Sequence, residues 1–123
     1  HIPHGRANTV FLETIFDFNI SKGNLNSSYT AKKYWELAKS INLPARTIRE
    51  GVMNLRKAIS NLKNELGVPT NIKELGIDEL ELKSKISILA EYALNDRCTS
   101  TAPIIPSIED IERLYKEAYC RKY

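Results

Sequence analysis

The sequence lacks the glycine-rich loops with which enzymes hold nucleotide phosphates. Only five of its 123 residues are glycine, and none lies within three residues of another. The motifs G-x-G-x-x-G and G-x-x-x-x-G-K are therefore absent, as are the hydrolase signatures G-x-S-x-G and His-Glu-x-x-His. Within these residues the absences exclude a phosphate-cradling loop, a serine-hydrolase nucleophile turn and a zinc-protease helix.

Cysteines and long apolar runs are scarce as well. The two cysteines, Cys98 and Cys120, are too few for a disulfide framework and are not spaced as a metal-binding pair. No apolar run approaches the roughly 20 residues that cross a membrane, and no charged-then-apolar leader opens the chain. We therefore expect a protein of the reducing cytoplasm with no membrane partner.

The chain also has no large excess of positive or negative charge. The chain has 18 Lys and Arg against 15 Asp and Glu, a formal net charge of +3, and the two signs are interleaved. Because a nucleic acid normally binds a stripe of positive charge, no nucleic acid is expected among the partners. Trp35 and Tyr34 recur at helical spacing with apolar neighbours, which indicates packing in a core or interface and argues against base stacking.

Helix-favouring residues dominate what is present, and the prolines and glycines divide them into helix-length pieces. In five of these pieces apolar residues recur at three- and four-residue spacings, as in amphipathic helices. We predict an all-α fold, about a five-helix bundle. The helices should cover approximately residues 5–19, 29–42, 47–66, 78–94 and 107–118. Between them we predict a single turn at 71–75, ended by Gly76, and a loop at 97–106.

Two of the predicted helices are strongly apolar. The first is apolar on more than half of its circumference, so we expect it to be largely buried. The third has apolar residues at alternating steps of four and three, which favours one face of a bundle helix over a coiled coil. The alternative is a partner-facing stripe on a non-enzymatic helical protein-interaction module. The stripe consists of Ile48, Val52, Leu55, Ile59, Leu62 and Leu66.

Few side chains could carry chemistry. Two histidines, His1 and His4, open the chain, and His4 precedes the first predicted helix. A lone histidine there is more typical of a surface or capping residue, because a transition-metal ion needs three or four protein ligands. Cys98 is interpreted as a small apolar filler at a helix end, with a reactive thiol beside Arg97 as the alternative. Cys120 is expected to be an exposed thiol of the tail.

Two local patterns together resemble one family. The opening block is similar to the segment P-H-G-x-A-N-A-x-x-L…F-N of iron-containing (group III) alcohol dehydrogenases. Neither this block nor the second is decisive alone, but their combination is hard to reach by chance. The opening block reads Ile2-Pro3-His4-Gly5-Arg6-Ala7-Asn8-Thr9-Val10-Phe11-Leu12, followed by Phe18-Asn19.

The second block lies near the other end and is similar to the family's closing pattern L-G-[IVL]-P…L-G-[IV]…A-L-x-D-x-C. Since the order and the gaps agree, the resemblance covers nearly the whole chain. One departure is that the family's usual Asn before Pro is replaced by Ala102 before Pro103, so the resemblance gives no polar contacts for this loop. The matching residues are Leu66-Gly67-Val68-Pro69, Leu75-Gly76-Ile77 and Ala93-Leu94-Asn95-Asp96-Arg97-Cys98-Thr99.

The resemblance implies the C-terminal part of a dehydroquinate synthase-like fold, with 1–123 as an all-helical, metal-binding domain after a dinucleotide-binding domain. It also implies an NAD(P)-dependent dehydrogenase that interconverts small primary alcohols and aldehydes, with Fe²⁺, or alternatively Zn²⁺, in the cleft. Of the family's one Asp and three His ligands, only His4 falls on this chain, and His1 aligns with no ligand. By the same analogy Cys98 lines the pocket near the nicotinamide.

The opening residues also suggest that the chain is a fragment. It begins His1-Ile2-Pro3-His4 without a Met and contains no cofactor loop. We therefore expect it to be catalytically inactive alone, with the missing N-terminal domain and a small alcohol or aldehyde as its partners. The sequence leaves open the alcohol, the choice between NAD and NADP, and whether the protein is a homo-oligomer.

Overall fold

The computed structural model describes residues 2–21 and 24–120. Within these ranges it contains five α-helices and no strand, which confirms the predicted all-α class. Two short 3-10 helices, Lys73–Leu75 and Thr99–Thr101, lie in the connections. The helices are α1 (His4–Ser21), α2 (Tyr29–Ser40), α3 (Ile48–Glu65), α4 (Glu79–Leu94) and α5 (Ile108–Cys120).

The helices are divided between two compact units. One unit is contiguous in sequence, Ile15–Gly67, and contains the second part of α1 with α2 and α3. The other unit joins His1–Thr14 to Val68–Tyr123 and contains the first part of α1 with α4 and α5.

α4 and α5 begin at the capping residues that the sequence predicts. The Asp78 carboxylate accepts hydrogen bonds from the backbone N–H groups of Leu80 and Glu81, at 2.8 and 3.2 Å, where α4 begins. At α5 the predicted capping box forms in both directions. The Ser107 hydroxyl accepts from the Asp110 N–H and the Asp110 carboxylate accepts from the Ser107 N–H, each at 3.1 Å. These bonds satisfy N–H groups that a helix start leaves without partners.

The predicted breaks at Gly67 and Gly76 are confirmed by backbone geometry. Gly67 has a φ of +60° after α3, and Gly76 has a φ of +81° after the short helix Lys73–Leu75. This left-handed conformation is strained for side chains with a Cβ, which explains why glycine ends both elements.

The unit Ile15–Gly67 has its own core between α1, α2 and α3. Phe16 stacks on Tyr34 with ring centroids 4.2 Å apart. Trp35 donates its indole N–H to the Ala45 carbonyl at 2.8 Å, so both aromatic side chains predicted to pack do so. The buried apolar residues that form this cluster are Phe16, Ala31, Ala38, Val52 and Leu55.

An ion pair ties α1 to α3 in the same unit. The Arg56 guanidinium donates from Nε to Asp17 Oδ1 at 2.7 Å and from Nη2 to Asp17 Oδ2 at 3.0 Å. Two parallel bonds fix the orientation of the guanidinium as well as its position. The pair therefore sets the register between these helices more firmly than a single exposed contact could.

The unit of His1–Thr14 and Val68–Tyr123 has a second core. Phe11 meets Tyr115 edge to face, with ring centroids 5.3 Å apart. The Ile72 N–H donates to the Ala118 carbonyl at 3.0 Å, which holds the segment before the short helix against α5. The buried apolar residues that form this cluster are Val10, Ile72, Leu82, Ala118 and Tyr119.

Three expectations are corrected by the structure. The first helix is only partly buried, because Leu12 and Ile15 remain 46% and 45% exposed. The apolar stripe of the third helix is not covered along its whole length, because its last two residues, Leu62 and Leu66, are 55% and 66% exposed. The predicted loop 97–106 contains a turn of 3-10 helix, because its own hydroxyl groups bond the backbone.

No helix in the described ranges has both the length and the apolarity needed to cross a membrane.

Candidate functional site

His4, the candidate metal ligand, is the first residue of α1 and is exposed. The helix begins there because the Pro3 carbonyl accepts the first helical hydrogen bond, from the Ala7 N–H at 3.1 Å. Proline before the first turn loses nothing, since N–H groups at a helix start have no partner within the helix. The imidazole is therefore held at the end of a regular helix with its ring open to the surroundings.

One hydrogen bond orients the His4 ring. The Asn8 side chain, one turn further along α1, places Nδ2 3.0 Å from His4 Nε2. When the amide donates, Nε2 is the unprotonated nitrogen and Nδ1 carries the proton. A metal ion binds an unprotonated ring nitrogen, so the Asn8 amide stands where a metal ion would approach.

The rest of a metal centre is not found near His4. Within residues 2–21 and 24–120, no group of three or more His, Cys, Asp or Glu side chains is arranged to hold a metal ion. Imidazole is a ligand that Fe²⁺ accepts, so the donor fits, but a stable centre needs two or three more. The chain can thus contribute one ligand to such a site. His1 lies outside the described residues.

Cys98 lies between α4 and the short helix Thr99–Thr101, and it is exposed. Its interpretation as an apolar filler is therefore wrong. The buried side of α4 is already provided by Leu82, Ile86 and Ala90, whereas Cys98 comes after the helix has ended. A thiol there can contact a bound molecule but does not fill a core.

The loop around Cys98 is ordered by its own polar groups. The Asp96 carboxylate accepts from the Cys98 N–H at 2.7 Å, and the Thr101 hydroxyl donates to the Cys98 carbonyl at 3.0 Å. The Thr99 hydroxyl donates to the Ala93 carbonyl at 2.6 Å and so ties the loop to the end of α4. These contacts fix the backbone on both sides of the thiol.

Cys120 is exposed, as expected. It differs from the expectation in one respect, because it belongs to α5 and is the last helical residue. The basic residues that follow it, Arg121 and Lys122, lie outside the described residues.

Asn8 belongs to the opening block, which assigned it no role, and it contacts the candidate ligand. The sequence contains a signal for this contact, because Asn8 follows His4 by four residues and residues four apart on a helix are neighbours on one face. The spacing places the Asn8 amide beside the only histidine ring among the described residues.

The family of the chain is decided by comparison with known proteins. Residues 1–119 match the model of the "Fe-containing alcohol dehydrogenase family, C-terminal". The chain belongs to the iron-containing alcohol dehydrogenase family. The resemblance drawn from the two sequence blocks is thereby confirmed.

Relatives of this iron-containing alcohol dehydrogenase chain are similar along almost all of it. It is 32% identical over 119 residues to the NADPH-dependent butanol dehydrogenase of Clostridium saccharobutylicum, covering 97% of this chain and 29% of that protein. It is 35% identical over 117 residues to an alcohol dehydrogenase of Thermococcus barophilus, covering 95% and 28%. The aldehyde-alcohol dehydrogenase 2 of Entamoeba histolytica is 32% identical over 126 residues, covering 97% and 14%.

A solved structure agrees with the fold. The iron-containing alcohol dehydrogenase of Thermococcus thioreducens superposes with a TM-score of 0.81 at 33% identity, covering 96% of this chain and 28% of that one. The predicted C-terminal helical portion of this fold is thus confirmed. The chain spans less than a third of the length of each of these relatives.

Proposed function

We propose that the chain is the C-terminal helical part of an NAD(P)-dependent, iron-containing alcohol dehydrogenase that interconverts small primary alcohols and aldehydes. The observation that supports this most directly is the family match over residues 1–119. The matched range includes His4, the first residue of α1. The butanol and aldehyde-alcohol dehydrogenases among the relatives support the substrate class by their names.

In this proposal His4 supplies one imidazole ligand to Fe²⁺, and the rest of the parent polypeptide supplies the others. A bound divalent cation would lower the pKa of the alcohol oxygen and stabilise the alkoxide while hydride leaves for the nicotinamide. This chain would place the His4 ring at the start of α1, and the Asn8 amide would have to leave Nε2 for a metal ion to bind there. Iron is proposed over zinc because the family description names iron.

Cys98 is proposed to line the pocket near the nicotinamide without acting as a nucleophile. Its exposure and its fixed turn support this placement, because the thiol can touch a neighbouring molecule while its backbone stays ordered. Binding of the dinucleotide itself is assigned to an N-terminal domain, since this chain has no glycine-rich loop. A reducing cytoplasm suits an exposed thiol of this kind.

The structure does not favour the alternative function, a non-enzymatic protein-interaction module. Its support was the apolar stripe on α3, and the part of that stripe from Ile48 to Ile59 packs against the core of its own unit. A continuous partner-facing stripe is therefore absent from the described part of α3.

The proposal is tested by activity and metal content together. The isolated chain should show no iron-dependent alcohol oxidation, because it holds one candidate ligand and no cofactor loop; measurable turnover would overturn this.

In the parent polypeptide, His4→Ala should lower both bound iron and kcat/KM by about 100-fold or more, as expected when a metal ligand is removed. His1→Ala is the matched control and should leave both unchanged. Unaltered iron content in the His4 variant would contradict the assignment.

A further inference from the structure

The Asn8 side chain makes a single hydrogen bond among the described residues, and that bond is to the His4 ring. Its Nδ2 lies 3.0 Å from His4 Nε2. Both residues are exposed, and both belong to the unit of His1–Thr14 and Val68–Tyr123. The contact is therefore local to one side of the first two turns of α1.

The two nitrogen atoms fix the direction of this hydrogen bond. An amide NH2 group only donates, so the Nε2 atom that faces it is the acceptor. A neutral imidazole whose Nε2 accepts carries its proton on Nδ1. The contact thus keeps a lone pair on Nε2, and a metal ion binds a ring nitrogen through such a lone pair.

The backbone beneath the contact is held by other groups. The Thr9 hydroxyl lies 2.8 Å from the Arg6 carbonyl oxygen and 3.3 Å from that of Pro69, and Val10 is 0% exposed. Rotation about the side-chain bonds of Asn8 is therefore enough to release Nε2, and the helix stays intact. Exposed side chains rotate within picoseconds to nanoseconds, so the amide affects how tightly an ion binds rather than how fast it enters.

We propose that the Asn8 amide occupies the place of the metal ion on His4 Nε2 in the metal-free protein and is displaced when the ion binds. Until then it disfavours the tautomer with a proton on Nε2, which cannot bind an ion through this nitrogen. A contact that exists only in the metal-free state lowers the affinity for the ion. Asn8 is thus a positioning residue that acts through His4. The displacement rests on the proposed function, whereas the tautomer of the metal-free chain does not.

Nitrogen-15 NMR of the imidazole ring tests the tautomer without any metal. In the 123-residue chain, at a pH that keeps the ring neutral, His4 should show a protonated Nδ1 and an unprotonated Nε2. Asn8→Ala should shift the ring toward the other tautomer, because the donor to Nε2 is gone. A His4 ring that carries its proton on Nε2, or identical spectra of the two proteins, would overturn the proposal.

Two further variants sharpen this measurement. Asn8→Asp keeps the size of the side chain, but an ionised carboxylate only accepts, so the proton should move to Nε2. Asn95→Ala is the matched control, because Asn95 is also exposed and donates from Nδ2 to a group four residues earlier, the Glu91 carbonyl, at 2.9 Å. It should leave the His4 spectrum unchanged. The proposal fails if Asn8→Asp and Asn95→Ala give the same His4 spectrum.

Metal affinity tests the displacement. In the parent polypeptide, Asn8→Ala should bind Fe²⁺ about 2- to 10-fold more tightly in competition with a chelator, the range expected from one hydrogen bond between neutral groups. Asn95→Ala should bind Fe²⁺ as the unaltered protein does. Weaker binding by Asn8→Ala would mean that the amide supports the bound ion, which contradicts displacement.

The two proposals can fail separately. Loss of iron in His4→Ala together with unchanged affinity in Asn8→Ala refutes only the displacement. Unchanged iron in His4→Ala refutes the proposed function, and the spectra of the metal-free chain then decide by themselves whether Asn8 sets the tautomer of His4.

Discussion

Gly51 shows at the residue scale how one missing side chain lets two helices approach. A Cβ built at this position would lie 2.6 Å from Trp35 Cδ1 and 2.9 Å from Ala45 Cβ. The indole also donates to the Ala45 carbonyl, so it cannot move away without breaking a hydrogen bond. The glycine is therefore a packing requirement near the start of α3, at a helical position that would otherwise favour alanine.

We expect Gly51→Ala to destabilise the chain. Overpacking costs about 1–3 kcal/mol, and two contacts below 3.0 Å place this change in the upper part of that range, about 2–3 kcal/mol. The better helix propensity of alanine offsets about 1 kcal/mol, so a net loss of about 1–2 kcal/mol should appear in urea unfolding. Gly5→Ala is the matched control, because nothing lies within 4 Å of a Cβ built there. It should be neutral or slightly stabilising, and a stable Gly51 variant would contradict the packing argument.

Tyr115 contributes a pH dependence to the stability of the chain. Burial raises the pKa of its phenol above the ordinary value of 10.0. The folded chain therefore keeps the phenolic proton at pH values where the unfolded chain has lost it, and stability must fall as the pH rises above about 10. Tyr115→Phe should flatten this part of the decline in unfolding free energy, measured by urea titration between about pH 9 and 11. A decline that stays as steep in Tyr115→Phe would contradict this assignment.

At the scale of elements, the starts and ends of helices could be predicted best. Asp78, Ser107, Gly67 and Gly76 act through contacts within a few residues of themselves, so their effect is readable from the sequence alone. The end of the α3 stripe could not be predicted, because its cover depends on the length of a neighbour. α2 has 12 residues and α3 has 18, and at about 1.5 Å per residue the far end of α3 extends past α2.

The capping box of α5 predicts a measurable loss. Ser107→Ala removes the acceptor of the Asp110 N–H and should cost about 1 kcal/mol of unfolding free energy. Ser84→Ala offers a control on α4, where the hydroxyl donates only to the Glu81 carbonyl of its own helix and alanine is a better helix former. Equal effects of the two changes would show that the cap contributes nothing special.

At the scale of the whole molecule, the candidate site was only partly predictable. The sequence located His4 at a helix start, and the family resemblance made it a candidate ligand, an assignment that stays a prediction. The exposure of Cys98 and the burial of Glu13 and Lys63 were not foreseen, since they depend on which surfaces meet in the fold. Such contacts between distant segments leave no local signal in composition or periodicity.

The division of the chain into units has a consequence for the order of synthesis. Ile15–Gly67 is one uninterrupted stretch, so a ribosome delivers all of its residues before any of Val68–Tyr123. His1–Thr14 are made before this stretch, yet their unit is complete only after α5 has left the exit tunnel. Domains fold as units during translation, so Ile15–Gly67 should fold before the residues that pack against His1–Thr14 have been synthesised. Val10 and Phe11 are then the apolar side chains left longest without their core.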